Sequence, residues 1–91
     1  MQFEFDPAKS ALNKRKHGID FAEAQALWED DDAMIISARS ESEERIALVG
    51  RIGSRIWVAF VTMRSGVYRI ISVRRARKYE VEDYERQIGN S

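Results

Sequence analysis

The sequence predicts an α+β domain in which two N-terminal helices and a C-terminal helix surround a mostly antiparallel meander sheet of about four strands. Apolar residues recur at helical spacing before residue 30 and after residue 77, and between residues 33 and 75 they follow a period of two. A chain of 91 residues with 44% hydrophobic residues suffices for one modest core. We therefore expect a single domain, 1–91.

The first helix is predicted from the signals at its two ends. Phe3-Glu4-Phe5 alternates and is a candidate short strand, and Asp6-Pro7 then supplies an N-cap and a first helical residue. The helix is expected to end at about His17, because Gly18 readily adopts the left-handed conformation that stops a helix.

A second helix is predicted to follow at once. Asp20 and Glu23 form a variant capping box, and an apolar stripe at helical spacing runs from Phe21 to Trp28. The acidic run 30–32 would oppose the dipole at the end of this helix, so we interpret it as a loop.

Four strands and a final helix account for the rest of the chain. We predict strands over 33–38, 45–52, 55–63 and 67–75, a polar loop over 39–43, and a helix over 77–88. Gly53-Ser54 suits a two-residue hairpin turn and Arg64-Ser65-Gly66 a three-residue turn.

These turns fix a register, provided that no bulge intervenes, and the register assigns each side chain to a face of the sheet. The predicted core face comprises Ile46, Leu48, Gly50, Ile52, Trp57, Ala59, Val61, Met63, Val67, Ile71 and Val73. Arg69 is a misfit on that face, and its expected partner is Glu44. The second face has an apolar middle of Ala47, Val49, Val58, Phe60 and Ile70, with Ser72 beside it. Its polar ends are Arg45, Thr62 and Tyr68 on one side, and Arg51 and Arg74 around Ile56 on the other.

The charge is distributed unevenly, although the net charge is zero and the pI about 6.6. Residues 19–44 carry nine acids and one base, whereas residues 51–78 carry eight bases and no acid. This asymmetry favours a polyanion-binding face or an acidic partner, since local potential steers association. Chance clustering or pairing within the molecule would explain it equally well.

Several function classes are excluded or disfavoured. The chain has no Cys, so a thiolate nucleophile, a zinc knuckle and an iron–sulfur site are excluded. With one His, metal catalysis is disfavoured, and 30–32 would hold at most a weak Mg²⁺ or Ca²⁺. There is no nucleophile elbow and no phosphate-binding glycine loop. We predict no metal and no cofactor. No apolar run is long enough to span a membrane and no leader opens the chain, so we expect a cytoplasmic protein.

Arginines on the second face are the strongest candidate feature. Arg45, Arg51 and Arg74 share that face, and three further arginines flank it: Arg64, Arg75 and Arg77. Guanidinium groups bind phosphate bidentately, and interleaved Tyr68 and Phe60 could stack on bases. The alternative is that these arginines pair with the Glu80–Glu85 part of the last helix or merely make the strands soluble. His17 is a candidate proton donor or a capping residue without chemistry.

The chain resembles the BrnT-like toxins over nearly its whole length. The resemblance rests on these segments: Phe3-Glu4-Phe5-Asp6-Pro7, Asn13, Lys16-His17-Gly18, Phe21, Glu43-Glu44-Arg45, Arg69-Ile70-Ile71-Ser72 with Arg74, Ala76-Arg77-Lys78-Tyr79-Glu80 and Tyr84-Glu85. Phe5 stands where Trp is frequent, Val73 where Ala is frequent, and Arg39-Ser40 where His-Ser is common. The resemblance implies a RelE-like fold and the ribonuclease toxin of a type II toxin–antitoxin pair. It also implies a ribbon-helix-helix antitoxin, with operator DNA bound only through the toxin–antitoxin complex.

The implied activity inhibits translation by cleaving RNA without a metal, using the substrate's 2′-OH as nucleophile. Arg45 and Arg74 are then candidate stabilisers of the phosphorane, Tyr68 stacks or donates a proton, and His17 is a candidate acid or base. The residues expected to bind the RNA backbone are Lys14, Lys16, Arg51, Arg64, Arg75 and Arg77. One alternative is a non-enzymatic module whose basic sheet docks an acidic protein. DNA binding by this chain alone is disfavoured because no helix resembles a basic recognition helix.

Overall fold

The computed structural model of the chain describes residues 2–39 and 44–89, and it has the predicted α+β class. The elements in chain order are β1 (Phe3–Glu4), α1 (Pro7–His17), a 3₁₀ helix (Glu23–Glu29), β2 (Met34–Arg39), β3 (Glu44–Ile52), β4 (Arg55–Arg64), β5 (Val67–Arg75) and α2 (Lys78–Gly89). One sheet has the order β1-β5-β4-β3-β2, in which β1 runs parallel to β5 and every other pair is antiparallel. The sheet thus has five strands rather than about four. Of the predicted loop over 39–43, Arg39 belongs to β2, and residues 40–43 lie outside the described ranges.

The ends of α1 are as predicted. The Asp6 carboxylate accepts the N–H of Ala8 at 2.9 Å, Pro7 occupies the first turn, and Gly18 adopts φ 84°. The Gly18 N–H donates to the Lys14 carbonyl at 2.9 Å, which closes the last turn.

The second predicted helix forms as a 3₁₀ helix. Its capping box is present, since the Asp20 N–H donates to Glu23 at 3.0 Å and the Glu23 N–H donates to Asp20 at 2.7 Å. Seven residues is long for a 3₁₀ helix. Its buried residues Ala24 and Leu27 are three apart, so three residues per turn aligns them on one side, and buried Phe21 directly precedes the helix.

The register between β4 and β5 departs from the prediction, whereas that between β3 and β4 is confirmed by Ile52 opposite Arg55. Arg64 pairs with Val67, so the turn has two residues, Ser65 and Gly66, with φ of 51° and 80°. Positive φ at both positions is typical of a type I′ hairpin turn. This places β5 one residue out of the predicted register.

A bulge then restores the predicted faces. Val61 pairs with Ile70 but Phe60 pairs with Ser72, so Ile71 is an extra residue in β5. The shifted turn reverses the faces of 67–70, and the bulge returns Ser72 and later residues to their predicted faces. This explains why the prediction for 67–70 is wrong while that for Arg74 is right.

The corrected faces bury two clusters of side chains. The core face, covered by α1 and the 3₁₀ helix, buries Ile19, Phe21, Ala24, Leu27, Leu48, Trp57, Ala59, Val61, Ile70 and Val73. The second face is covered in part by α2 and buries Ala47, Val49, Ile56, Val58 and Tyr84. No helix within residues 2–39 and 44–89 is long and apolar enough to cross a bilayer.

One buried amide fixes α1 to β5. Asn13 Nδ2 donates to the carbonyls of Ile19 and Val73 at 2.8 and 2.9 Å, and its Oδ1 accepts the Val73 N–H at 3.2 Å. Beyond Arg69 no β1 partner pairs with β5, so the amide supplies the hydrogen bonds of a missing strand at Val73. The backbone next to Arg74 is thereby fixed.

Candidate functional site

The part of the second face that α2 leaves open carries arginines around an aromatic ring. We call Arg45, Phe60, Arg69 and Arg74 the arginine surface. β3 contributes Arg45, β4 Phe60, and β5 the other two, and each of the four is half-buried. Three adjacent strands therefore place three guanidinium groups on one side of the sheet.

Arg74 is held in the arginine surface by a carboxylate and an aromatic ring. Its Nη1 and Nη2 donate to the two carboxylate oxygens of Glu80 at 2.7 and 3.0 Å, and its guanidinium carbon lies 5.3 Å from the ring centre of Phe60. The hydrogen bond from Arg74 lowers the pKa of Glu80, and the same bond raises the pKa of Arg74. The predicted alternative, pairing with the last helix, is thus confirmed for Arg74. Its planar fork is in the geometry that also binds phosphate.

Glu80 has a second role at the start of α2. Its Oε1 accepts the N–H of Arg77 at 2.8 Å, as a third-position carboxylate does in a capping box. Arg77 itself is exposed and Glu80 is buried. One carboxylate therefore both caps α2 and positions Arg74.

The prediction that Tyr68 lies on the second face is wrong. The shifted register places Tyr68 on the core face, where its ring centre lies 5.8 Å from that of Phe3 and 5.9 Å from that of Trp28. Arg69 occupies the second face instead, and its Nη1 lies 3.6 Å from the carboxylate of Glu4, so the expected core position beside Glu44 is also wrong. The structure therefore does not bring Tyr68 together with Arg45 and Arg74.

Lys16 and His17 lie beside the edge of β5. They line a depression of about 270 Å³ together with Ser72, the residue that pairs with Phe60. Both side chains are exposed. The structure thus brings the basic end of α1 close to the strand that carries the arginine surface.

A second basic depression lies at the other end of the sheet. Arg51, Arg55 and Arg75 line about 180 Å³ together with Glu85 of α2. The guanidinium carbon of Arg51 lies 5.7 Å from the ring centre of Tyr84, and that of Arg75 lies 5.4 Å from Trp57. Sequence reasoning missed Arg55, although its place directly after the Gly53-Ser54 turn was a usable signal.

Lys14 and Arg64, two of the predicted RNA-binding residues, lie away from the Arg74–Glu80 pair. Lys14 Nζ is 2.7 Å from Glu23 Oε1 at the 3₁₀ helix, and this hydrogen bond raises the pKa of Lys14 and lowers that of Glu23. Arg64 is exposed at the β4–β5 turn, at the opposite end of β4 from Arg55. The structure does not bring either of them to the Arg74–Glu80 pair.

Asp30, the first residue of the acidic run 30–32, makes hydrogen bonds within the fold. Asp30 accepts the Tyr84 hydroxyl at 2.6 Å and the N–H groups of Arg51 and Asp32 at 2.8 and 2.9 Å. Burial would raise the pKa of Asp30, but these three hydrogen bonds outweigh it and lower the pKa. Within the part of the chain that the structure describes, no three His, Asp or Glu residues are grouped to hold a metal ion.

Comparison with known protein families identifies the family of this chain. Residues 5–80 match the family described as the ribonuclease toxin, BrnT, of a type II toxin–antitoxin system. The chain belongs to the BrnT family. The match includes Arg45, Arg69 and Arg74 and ends at Glu80, in the first turn of α2. No curated protein sequence matches the chain.

The BrnT family consists of ribonuclease toxins of type II toxin–antitoxin systems, so an antitoxin is the partner expected of its members. The guanidinium groups of the arginine surface are suited to binding RNA phosphates, since such groups bind phosphate bidentately and retain their charge at physiological pH. Its position on an open sheet face leaves room for a polymer rather than a small molecule in a closed cavity.

Proposed function

We propose that this BrnT-family toxin is a metal-independent endoribonuclease that inhibits translation by cleaving RNA on the arginine surface. The observation that carries the proposal is the Arg74 guanidinium. It lies over Phe60 and is fixed by two hydrogen bonds to a carboxylate, which has the acceptor geometry of a phosphate. An RNA phosphate would replace Glu80 at the same fork.

The proposed reaction uses the 2′-OH of the substrate as nucleophile. The 2′-oxygen attacks the neighbouring phosphorus, a base takes its proton, and the 5′-oxygen leaves with a proton from an acid. Arg45 and Arg74 would stabilise the negative charge on the pentacovalent phosphorane, and Phe60 would stack on a base. His17, beside Ser72, is the candidate for one of the proton transfers. Tyr68 is omitted because its ring packs against Phe3 and Trp28 on the core face, whereas the exposed His17 lies at the edge of β5 beside Ser72.

The proposed path of the RNA backbone follows the basic residues on either side of this centre. Lys16 lies at the edge of β5, and Arg51, Arg55 and Arg75 lie at the hairpin end of the sheet. Arg64 and Arg77 are exposed and would add to the attraction. Binding through backbone phosphates implies an RNA affinity that falls as salt concentration rises.

The partners proposed with this function are an antitoxin of the ribbon-helix-helix kind and, through the complex with it, operator DNA. The support is the type II family to which the chain belongs. The toxin is proposed to act in the cytoplasm, where messenger RNA is translated.

The first test is the substitution Arg74→Ala, assayed with labelled RNA in EDTA and in a cell-free translation system. Loss of one group that stabilises transition-state charge corresponds to about 2.7–4 kcal/mol, so we expect cleavage to fall about 100-fold or more. Arg86→Ala is the matched control, because Arg86 is an exposed arginine of α2 whose carboxylate partner is Asp83. It should retain the wild-type rate.

Folding is separated from chemistry by a second variant. Arg74→Lys keeps a charge next to Glu80 but loses the bidentate fork, so it should fold and still cleave slowly. Wild-type cleavage rates in folded Arg74→Ala or Arg74→Lys would contradict the proposed site. Cleavage that EDTA abolishes would contradict metal independence.

The second candidate is a non-enzymatic module whose basic surface docks an acidic protein. The Arg74–Glu80 pair favours it, because this pair shows that Arg74 can bind a carboxylate. No cleavage by wild-type protein, with tight binding of an acidic protein that Arg74→Ala abolishes, would favour this candidate instead.

A further inference from the structure

A groove on the core-face side of the molecule lies between β1 and the 3₁₀ helix. Its volume is about 440 Å³. Four apolar side chains and three polar ones line it: Phe3, Ala22, Ala26 and Trp28, with Glu23, Gln25 and Glu29. The arginine surface lies on the opposite face of the sheet, so an occupant of one would leave the other accessible.

Aromatic rings form the apolar part of this groove. The rings of Phe3 and Trp28 meet edge to face with centres 4.8 Å apart, and Tyr68 packs against both. All three are only half-buried, although they adjoin a core in which Phe21 and Leu27 are fully buried. Half-exposed aromatic rings in a depression are typical anchor points for a partner's apolar side chain.

The polar part of the groove is acidic. Among the described residues no Lys, Arg or His lines it, and Glu23 is fixed at its rim by Lys14 and by the N–H of Asp20. Glu29 is exposed, and a neighbouring depression of about 310 Å³ shares Ala26 and Glu29 and continues to Asp30 and Arg51. The groove itself, which has no basic lining residue within the described part of the chain, would repel phosphate and attract cations.

We propose that this groove is a docking surface for a protein segment in which Lys or Arg side chains surround an apolar anchor. The apolar anchor would contact Phe3 and Trp28, and the basic side chains would face Glu29. The identity of the partner as the antitoxin rests on the proposed function, whereas the chemistry of the groove does not. The charge of the groove disfavours RNA as its occupant.

The test measures binding of a short fluorescein-labelled peptide in which lysines and arginines flank a pair of leucines. Two matched peptides replace the leucines with serine or the basic residues with glutamate. Glu29→Lys reverses an exposed rim charge, and Ala22→Lys fills the groove with a cation at an exposed position. We expect each variant to weaken binding of the first peptide about tenfold, and each matched peptide to bind wild-type protein more weakly.

Glu82→Lys is the matched control, because Glu82 is an exposed carboxylate of α2 outside the groove. It should bind the peptide within about twofold of wild type. Equal peptide affinity for wild type, Glu29→Lys and Ala22→Lys would overturn the proposal, as would binding that depends on charge alone. Protection of the groove by RNA would also overturn it.

RNA cleavage by the same variants separates this proposal from the proposed function. Glu29→Lys and Ala22→Lys should cleave RNA at the wild-type rate, because the arginine surface is on the other face. If wild-type protein does not cleave RNA, the ribonuclease proposal fails while the peptide measurements still decide the groove. The full antitoxin encoded with the toxin should compete with the peptide, and absence of competition would overturn the antitoxin as partner.

Discussion

The covers of the two faces of the sheet differ in how polar their contacts are. The core face is closed by apolar packing, in which Ala24 and Leu27 of the 3₁₀ helix and Phe21 just before it are buried. On the second face, α2 packs the ring of Tyr84 against the sheet and also makes polar contacts: Arg74 with Glu80 near its start, and Asp30 with Tyr84 in its middle. Because α2 covers this face only in part, the second face also presents charged groups.

The uneven charge of the sequence follows the same division. Within the acidic segment 19–44, residues 23–29 form the 3₁₀ helix, and Glu23 and Glu29 line the groove beside it, whereas the basic segment 51–78 supplies most of the arginine surface. A net charge of zero is therefore compatible with two surfaces that would select partners of opposite charge.

The largest expected effect is the loss of stability when a buried side chain of the core face is truncated. Phe21→Ala removes a ring that is 1% exposed and should lower the free energy of unfolding by about 3–5 kcal/mol. Phe60→Ala on the half-open second face should cost clearly less, because that ring is only half-buried. Urea denaturation of both variants measures the difference. Equal losses would show that the two faces contribute equally to the fold.

Much of the fold could be predicted because local signals specify it. Asp6, Pro7 and Gly18 mark the ends of α1, and period-two alternation identifies four of the strands. The 3₁₀ winding was missed because an apolar spacing of three also fits one side of an α-helix. β1 has only two residues, and its parallel pairing with β5 depends on tertiary contact.

The candidate site could be predicted only in part, because a bulge leaves no clear mark in the sequence. The shifted turn at Ser65-Gly66 reverses the predicted faces of two residues: Tyr68 lies on the core face and Arg69 on the second face. Arg74 was placed correctly because the bulge compensates for the shift. The sequence allows two interpretations of Arg74, phosphate binding or pairing with the last helix. The choice between these two interpretations required the position of α2.

The second prediction concerns the contact at the start of α2. Glu80→Gln removes the charge that binds Arg74 and should lower the free energy of unfolding by about 2 kcal/mol at neutral pH. The folded-state pKa of Glu80 lies below its ordinary value of 4.5, so its contribution is present above that pH and is lost as the pH falls below it. Stability of the variant should thus fall less steeply than wild type below pH 4.5.

Denaturant titrations at neutral pH and at several values below pH 4.5 test this, with Asp83→Asn as the matched control. Asp83 is an exposed carboxylate of α2 paired with Arg86, so its loss should change stability little. Parallel pH profiles for wild type and Glu80→Gln would contradict the assignment of Glu80. Faster RNA cleavage by Glu80→Gln would indicate that this carboxylate competes with phosphate at Arg74.

The smallest effect is expected at a second polar contact of α2, in the middle of the helix. Tyr84→Phe keeps the buried ring but removes the hydroxyl that donates to Asp30, which should cost about 1.5 kcal/mol at neutral pH. That hydrogen bond helps to lower the pKa of Asp30, so the folded-state pKa should be higher in the variant, and the stability difference should shrink as the pH falls below about 4. Tyr79→Phe, at an exposed position of the same helix, is the matched control. A Tyr84→Phe difference that is unchanged at low pH would contradict the hydrogen bond from the hydroxyl to the ionised Asp30 carboxylate, and Tyr84 would then hold α2 through the apolar packing of its ring alone.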